Sequence, residues 1–272
     1  MRVGFIGLGS QGAPIARRIV DGGYETTLWA RRSASLEPFA DTAAKVAGSP
    51  AELAAVSDLV CLCVVGDGDV KEVLGGDTGV LAGLAPGGII AIHSTVHPDT
   101  CREIAARAAQ QDISVLDAPV SGGEPAAKAG TLLVMVGGDD DVVERVRPVF
   151  VTYADPVVHL GAVGSGQVAK ILNNLLFSAN LGAAMSTLEL GEALGVPRDR
   201  LCEVITRGSA TSKALNSIAM FGGTLDNLAP IAGALLQKDC RHAASLAGAA
   251  AARQGAVFDA ADAALLLMNH PR

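Results

Sequence analysis

Hydrophobic residues follow two different patterns along the chain. Up to about residue 161, short runs that are almost wholly apolar alternate with segments of helical periodicity. Apolar runs of this length are typical of strands that are buried on both faces of a parallel sheet. The pattern predicts strands at RVGFIG near the N-terminus, 25–30, 59–65, 88–94, 114–120 and 131–138, with helices between most of them at 11–21, 50–56, 67–74, 98–111 and 140–150.

No β-rich run follows in the rest of the chain, whose segments are rich in Ala and Leu. The longest predicted helix covers 165–194 and would be about 45 Å long. Gly195 and Pro197 just beyond it are typical of a helix end. We therefore predict an α/β domain over residues 1–162 and an all-α domain over residues 163–272. The other helices predicted in the second domain are 198–207, 211–220, 231–253 and 257–268.

The composition excludes several classes of function. The formal net charge is −7, whereas nucleic-acid-binding proteins usually need a basic face. No apolar run reaches the roughly 18 residues of a membrane span, and the N-terminal run is too short for a signal peptide. Five cysteines without a C-x-x-C pair and five histidines without metal-ligand spacing predict reduced thiols and no metal site. We expect a cytoplasmic protein with a small-molecule partner, and neither a nucleic-acid nor a membrane partner.

The sequence GFIGLGSQG fits a dinucleotide-binding loop, because its glycines form the G-x-G-x-x-G pattern between a strand and a helix. Gly7 would allow the tight turn, Gly9 the close approach of a pyrophosphate, and Gly12 the packing of helix on strand. The helix N-terminus would offer free N–H groups to the phosphates. A glycine turn without a ligand is the alternative. The prediction is a Rossmann domain with cofactor contacts at Gly7, Leu8, Gly9, Ser10, Gln11 and Gly12.

The end of the second strand, TLWARRS, bears on the choice of cofactor. An acidic residue at this point would bind the ribose 2′-OH of NAD. Ala30 stands there instead, and Arg31, Arg32 and Ser33 follow. Because guanidinium groups suit a 2′-phosphate, NADP is favoured over NAD. The alternative is that both arginines are ordinary solvated loop charges.

Four motifs in order resemble the β-hydroxyacid dehydrogenases, the group of 3-hydroxyisobutyrate dehydrogenase and tartronate semialdehyde reductase, related to 6-phosphogluconate dehydrogenase. The resemblance covers essentially the whole chain, although Gln11 replaces the family's usual Met and WARRS its usual Asn-Arg-Ser/Thr. QKDC at 237–240 is similar to the family's late Lys–Asp pair. The four motifs are GFIGLGSQG at 4–12, HSTVHP at 93–98, DAPVSGGEPAAKAGTL at 117–132 and GQVAKILNN at 166–174.

Lys170 is an isolated charge in an otherwise apolar predicted helix. In a dry cleft, burial lowers the pKa of a lysine, which could then exchange a proton with a hydroxyl as hydride leaves the same carbon. The resemblance makes Lys170 the catalytic residue; a surface lysine with its amine in solvent is the alternative. Asn174, one turn further on the same face, would bind the substrate. Asn173 could support Asn174 or bond another helix.

The sequence VSGG after the fifth predicted strand contains Ser121, Gly122 and Gly123. Successive backbone N–H groups of such glycines form an anion-binding concavity, which with the serine hydroxyl suits a substrate carboxylate. The resemblance implies the same role, and a plain loop turn is the alternative.

HSTVHP ends the fourth predicted strand, and ligands of open parallel sheets bind at the carboxyl ends of strands. We therefore predict that Ser94 and Thr95 lie near the nicotinamide and the substrate, whereas His93 and His97 have structural or capping roles. Cofactor contacts are also predicted at Val64 and Val65, and the resemblance adds Lys238, with Asp239 beside it.

Together the motifs predict an NAD(P)-dependent oxidoreductase that transfers hydride between the nicotinamide and a short β-hydroxy acid or its semialdehyde. An imine reductase of the same fold is one alternative, although such enzymes generally carry Asp or Tyr in place of Lys170. A regulatory protein that senses NADP(H) without turnover is the other, and it would predict a damaged catalytic set. The resemblance implies a homodimer or homotetramer, with the long helices at the interface and beside the substrate cleft.

Overall fold

Five of the six apolar runs, together with a short strand at 45–46 that was not predicted, form one parallel sheet in the computed structural model, which describes every residue from Met1 to Arg272. Its strands are β1 (Val3–Ile6), β2 (Thr26–Trp29), β3 (Lys45–Val46), β4 (Leu59–Leu62), β5 (Ile89–Ile92) and β6 (Ser114–Asp117). They lie in the order β3-β2-β1-β4-β5-β6, and every neighbouring pair is parallel. The order reverses between β1 and β4, and sheets of this kind bind ligands beyond the carboxyl ends of the strands at that point.

Helices cover both faces of the sheet, which explains why its central strands are apolar at every position. Successive strand residues point to opposite faces, so Phe5 and Cys61 belong to the core on one side and Ile6 and Leu62 to the core on the other. The helices of this region are α1 (Gly12–Asp21), α2 (Pro50–Ala55), α3 (Asp67–Leu74), α4 (Val80–Gly83), α5 (Pro98–Ala109), α6 (Gly123–Ala129) and α7 (Asp140–Phe150).

A smaller three-stranded sheet continues the large one. It contains β7 (Val120–Ser121), β8 (Leu132–Val136) and β9 (Ala154–His159), and a bridge between Asp117 and Gly137 connects it to β6. The sequence predicts one strand over 114–120, but the structure divides this run into β6 and β7. Pro119 lies at the break, where a residue without an N–H group interrupts the ladder.

The C-terminal part of the chain is helical, with a core of its own. Its longest helix ends at Ala193, and Gly195 follows with a φ of 83°, the left-handed conformation typical of the residue after a helix. The amide of Val196 donates to the carbonyl oxygen of Gly191 at 2.9 Å, which completes this helix end. The helices are α8 (Ser165–Ala193), α9 (Arg198–Arg207), α10 (Lys213–Met220), α11 (Ala229–Ala249) and α12 (Gly255–Leu267).

The chain divides into two units, Met1–Lys170 and Ile171–Arg272. The α/β architecture of the first and the helical architecture of the second confirm the predicted fold class. The division falls inside α8, whereas the domain limits predicted from the sequence meet just before this helix begins, and those limits remain a prediction. None of the helices is long and apolar enough to cross a membrane.

Gly182 of α8 allows close packing against α12 within the second unit. A Cβ atom at this position would meet the carbonyl oxygen of Ala260, and backbone cannot move aside as a flexible side chain can. We predict that Gly182→Ala lowers the free energy of unfolding by about 1–3 kcal/mol, because the added methyl forces the helices apart.

Gly248→Ala is the matched control, because nothing lies within 4 Å of the Cβ atom it would add to α11. Here the higher helix propensity of Ala should raise the stability by up to about 1 kcal/mol. Urea denaturation of both variants measures the difference. Effects of the same sign would contradict the close packing at Gly182.

Candidate active site

The glycine loop follows β1, and contacts with neighbouring backbone explain two of its three glycines. Gly7 has a φ of 99°, and a Cβ atom there would meet the carbonyl oxygen of Cys63. A Cβ atom at Gly12 would meet the carbonyl oxygen of Gly7. At Gly9, by contrast, no heavy atom lies within 4 Å of the Cβ position. This glycine therefore faces open space at the start of α1, where a pyrophosphate can approach the backbone.

A cavity of about 430 Å³ lies beside the loop, within the size range of small-molecule sites. Ser33, predicted as a contact, is not among its lining residues and instead begins a 3₁₀ turn that ends at Ser35, which does line the cavity. Trp29 and Asp69 were missed from the sequence, although Trp29 belongs to the quoted WARRS segment. The predicted residues that line the cavity are Gly7, Leu8, Gly9, Arg31, Arg32, Val64 and Val65. The open space and the cavity fit a dinucleotide.

The two arginines at this cavity differ in their surroundings. The Nη2 atom of Arg31 lies 3.3 Å from a carboxylate oxygen of Asp69 and 3.1 Å from one of Glu72, both on α3. All three side chains are partly or largely exposed, and ion pairs of this kind stabilise a fold by only about 0–1 kcal/mol. The guanidinium group of Arg31 is thus directed toward α3, where the two carboxylates offset part of its positive charge.

The segment after β5 is fixed by hydrogen bonds from two sides. The hydroxyl oxygen of Ser94 accepts the N–H of Val64 at 2.9 Å, which joins the ends of β5 and β4. The side-chain amide of Gln167 donates to the carbonyl oxygen of Ser94 at 2.8 Å and accepts the N–H of Val96 at 3.1 Å. Thr95 therefore lies between two anchored backbone groups. Gln167 was missed, although an amide one turn before Lys170 in an apolar helix is a visible signal.

Lys170 follows on α8 and is 9% exposed. This burial argues against the alternative of a surface lysine whose amine is solvated. Its helix begins at Ser165, so the lysine lies in the second turn, directly after the residues that anchor the end of β5.

Ser121, Gly122 and Gly123 connect β7 to α6. Gly122 has a φ of 131° and Gly123 a φ of 69°, conformations that residues with side chains rarely adopt. Glycine is therefore needed here for the turn itself. The turn is compatible with the predicted binding of a carboxylate by these residues but does not require it.

In the second unit, one buried carboxylate links three of the polar residues singled out in the sequence. Asp239 is 3% exposed, and one of its oxygens accepts the side-chain N–H of Asn174 at 2.6 Å. The other oxygen lies 3.1 Å from the amine of Lys238. Asn173 donates to the side-chain oxygen of Asn174 at 3.0 Å, which fits the supporting role that was one of its two interpretations. Asp239, given less weight from the sequence, is the centre of this cluster.

His93 is completely buried and has a structural role, as predicted. Its Nδ1 atom lies 2.7 Å from the carbonyl oxygen of Ala118, so Nδ1 carries the proton. The other ring nitrogen, Nε2, then accepts from the hydroxyl of Tyr153 at 3.2 Å. Burial lowers the pKa of His93 to about 4, and the imidazole is therefore neutral at physiological pH. His97 also matches its predicted role, since its ring accepts the N–H of Asp99 at the start of α5.

A parallel sheet with a glycine loop and a cavity at its strand ends defines a dinucleotide-binding protein. Known families of dinucleotide-binding domains match both parts of the chain. Residues 2–161 match the NAD binding domain of 6-phosphogluconate dehydrogenase, and residues 164–266 match the NAD-binding domain of NADP-dependent 3-hydroxyisobutyrate dehydrogenase. No group of three or more His, Cys, Asp or Glu side chains is arranged to hold a metal ion.

Individual known proteins are also similar to this chain over most of its length. The NAD-dependent L-serine dehydrogenase of Pseudomonas aeruginosa is 34% identical over 226 residues, which are 83% of this chain and 76% of that enzyme. The structure of Mycobacterium tuberculosis 3-hydroxyisobutyrate dehydrogenase with L-serine has 30% identity and a TM-score of 0.86, covering 100% of this chain and 96% of that one. A structure of Psf3 with NADP+ and 2-OPP has 26% identity and a TM-score of 0.84, covering 98% and 93%.

The chain therefore belongs to the β-hydroxyacid dehydrogenase family and is an NAD(P)-dependent oxidoreductase of that family. The resemblance, the fold class and the cofactor class predicted from the sequence are confirmed.

The buried His93 predicts a specific dependence of stability on pH. Its pKa is about 4 in the folded protein, against an ordinary value of 6.5, so the unfolded chain binds a proton more readily. The contribution of the neutral His93 ring to the free energy of unfolding is complete above pH 6.5 and is lost as the pH falls toward 4. Between pH 7 and pH 5 the loss should be about 2 kcal/mol.

His93→Gln is the control, because glutamine can keep both hydrogen bonds but does not titrate. Urea denaturation at both pH values should show a smaller loss in the variant than in the native protein. Equal losses would mean that the histidine is not held neutral by the fold.

Proposed function

We propose that this protein oxidises a short β-hydroxy acid, or reduces the matching semialdehyde, with Lys170 as the general acid/base. The supporting observation is a buried lysine, only 9% exposed as a residue, on the helix that anchors the Ser94–Val96 segment at the carboxyl end of the sheet. Bound NAD(P) supplies the nicotinamide carbon that accepts or donates the hydride.

Lys170 accepts the proton of the substrate hydroxyl when the hydroxyl-bearing carbon loses hydride, and it returns that proton in the direction of reduction. Its amine must therefore lie within hydrogen-bond reach of the hydroxyl oxygen. The hydroxyl of Ser121 and the N–H groups of Gly122 and Gly123 bind the carboxylate, an assignment that follows the family resemblance and is compatible with the turn. Thr95 contacts substrate and nicotinamide, from a backbone that is anchored on both sides.

Asn174 is proposed to bind substrate and Lys238 to bind cofactor, as the family resemblance implies. The hydrogen bond of Asn174 to Asp239 supports the first role, because it holds the amide in a defined orientation, and Lys238 lies 3.1 Å from the same carboxylate. A side chain that is already ordered loses less conformational entropy when it binds a ligand.

Candidate substrates differ in whether their second carbon carries a hydroxyl, a methyl or only hydrogen. One pocket contact of this kind discriminates by only about 1–3 kcal/mol, so a panel of compounds has to decide. The panel contains 3-hydroxyisobutyrate, tartronate semialdehyde, succinic semialdehyde and glyoxylate, with L-serine added because two similar proteins are named with it. Turnover of any member also distinguishes this enzyme from a protein that only senses NADP(H), and Lys170 argues against an imine reductase.

We predict that Lys170→Met lowers turnover of the preferred substrate by about 10²–10⁴-fold, because methionine fills the same space without a proton to exchange. The dissociation constant for NADP, measured by fluorescence titration, should stay within about twofold, since the lysine is assigned to the substrate. Lys213→Met removes an exposed lysine from α10 and serves as the control with unchanged turnover. Near-normal turnover in Lys170→Met would refute the assignment.

The cofactor preference is proposed to be NADP, recognised by Arg32 and Arg31 at the cavity. Hydrogen bonds to a charged group contribute about 1.5–3 kcal/mol, so Arg31→Ala/Arg32→Ala should weaken NADP binding at least about tenfold. NAD, which lacks the 2′-phosphate, is the internal control and should lose less than about twofold. Calorimetry with each dinucleotide measures both constants. Equal losses for the two cofactors would exclude a 2′-phosphate site here.

A further inference from the structure

Two buried polar side chains of the first unit have no part in the proposed chemistry. Asp117 is the last residue of β6, and Gln167 belongs to the first turn of α8. Both are completely buried. A buried carboxylate or amide is unfavourable unless its polar atoms are hydrogen-bonded, so the partners of these groups indicate what they hold in place.

The carboxylate of Asp117 holds the start of α8. One oxygen accepts the N–H of Gly164 at 2.6 Å, and the other accepts the N–H of Gln167 at 2.7 Å. The first N–H groups of a helix have no partner within it, and the helix dipole favours a negative charge at this end. Burial raises the pKa of Asp117, and the bonds from the backbone oppose that shift. The end of β6 is thereby fixed to the first turn of the helix.

The surrounding backbone leaves this carboxylate little freedom. A Cβ atom at Gly137 would meet one of its oxygens, and a Cβ atom at Gly166 would lie 2.9 Å from the other and also meet the carbonyl oxygen of Met135. Glycine at both positions lets β8 and α8 approach Asp117 closely. Its position is therefore set by contacts on several sides.

Gln167 extends the connection to the neighbouring strands. Its amide bonds the carbonyl oxygen of Ser94 and the N–H of Val96, on either side of Thr95, and Ser94 in turn accepts the N–H of Val64. The ends of β4, β5 and β6, which are neighbours in the sheet, are thus joined to α8 by side chains.

We propose that Asp117 and Gln167 are positioning residues, which together fix the amine of Lys170 relative to Thr95. Lys170 follows Gln167 by one helical turn, so any displacement of the first turn of α8 also displaces Lys170. An error of about 1 Å in the placement of a reacting group can lower a rate by about 10²-fold. This inference rests on the proposed role of Lys170, but its structural part can be tested without any substrate.

The first test separates positioning from general stabilisation. Gln167→Met has a similar size but makes neither hydrogen bond, and we expect its kcat to fall about 10²-fold. The dissociation constant for NADP should stay within about twofold. Ser57→Ala is the control, because it removes another buried bond from a side chain to backbone, the 2.7 Å bond to the carbonyl oxygen of Leu53. It should lower the melting temperature without a change in kcat.

The second test follows the connection itself by amide hydrogen exchange. Asp117→Asn cannot accept both N–H groups, so the amides of Gly164 and Gln167 should exchange faster. The amide of Val96, which bonds Gln167 and not Asp117, should also exchange at least about tenfold faster, because the anchor of its partner is weakened. Lys170→Met should leave all three amides unchanged.

The outcomes of these tests are separable. Unchanged kcat in Gln167→Met, with native turnover that depends on Lys170, would overturn the positioning role alone. Unchanged exchange at Val96 in Asp117→Asn would show that the two residues do not act as a connected pair. Absence of native turnover on the whole substrate panel would instead overturn the proposed function, while the exchange results would still report on the connection.

Discussion

Backbone N–H and C=O groups just beyond the carboxyl ends of a covered parallel sheet have no further strand to which they can hydrogen-bond. The side chains that bond them instead determine the arrangement of this protein's candidate site. Leaving such a group buried without a partner costs about 1–3 kcal/mol. Ser94 satisfies the N–H of Val64, and Gln167 satisfies groups on both sides of Thr95. Where the loop after β1 has to pass close to other backbone, glycine removes the side chain instead. Unpaired backbone groups thus explain the buried polar residues around the strand ends, and the close approach of backbone explains two glycines of the motif.

Features with local causes were predictable from the sequence. The apolar runs predicted every strand except β3 and β9, and Gly195 predicted the end of α8 to within one residue, because the end of a helix depends on its own last turn. The strand over 114–120 was predicted as continuous, since apolar residues on both sides of Pro119 hide the break. The motif residues of the glycine loop were found because their spacing carries a mechanism.

Gln167 was missed, and Asp239 was given too little weight, for the same physical reason. Gln167 bonds a carbonyl group 73 positions away, and Asp239 bonds an asparagine 65 positions away. A single polar residue in an apolar helix shows that a partner exists, but the pattern cannot show which one. Arg31 also pairs with residues distant in sequence, Asp69 and Glu72, which lie 38 and 41 positions away and balance part of its charge at the cavity. Exposed pairs of this kind contribute little to stability, whereas each buried bond satisfies a polar group that would otherwise be unpaired.

Above all, we propose that the amine of Lys170 exchanges a proton with the hydroxyl of a short hydroxy acid. The most direct measurement is a crystal structure of the protein with bound dinucleotide and its preferred hydroxy acid. We expect the lysine Nζ atom to lie about 2.6–3.2 Å from the hydroxyl oxygen, or to reach it through one water. A lysine that points away from the hydroxyl, while another side chain makes a hydrogen bond to that hydroxyl, would exclude Lys170 as the general acid/base.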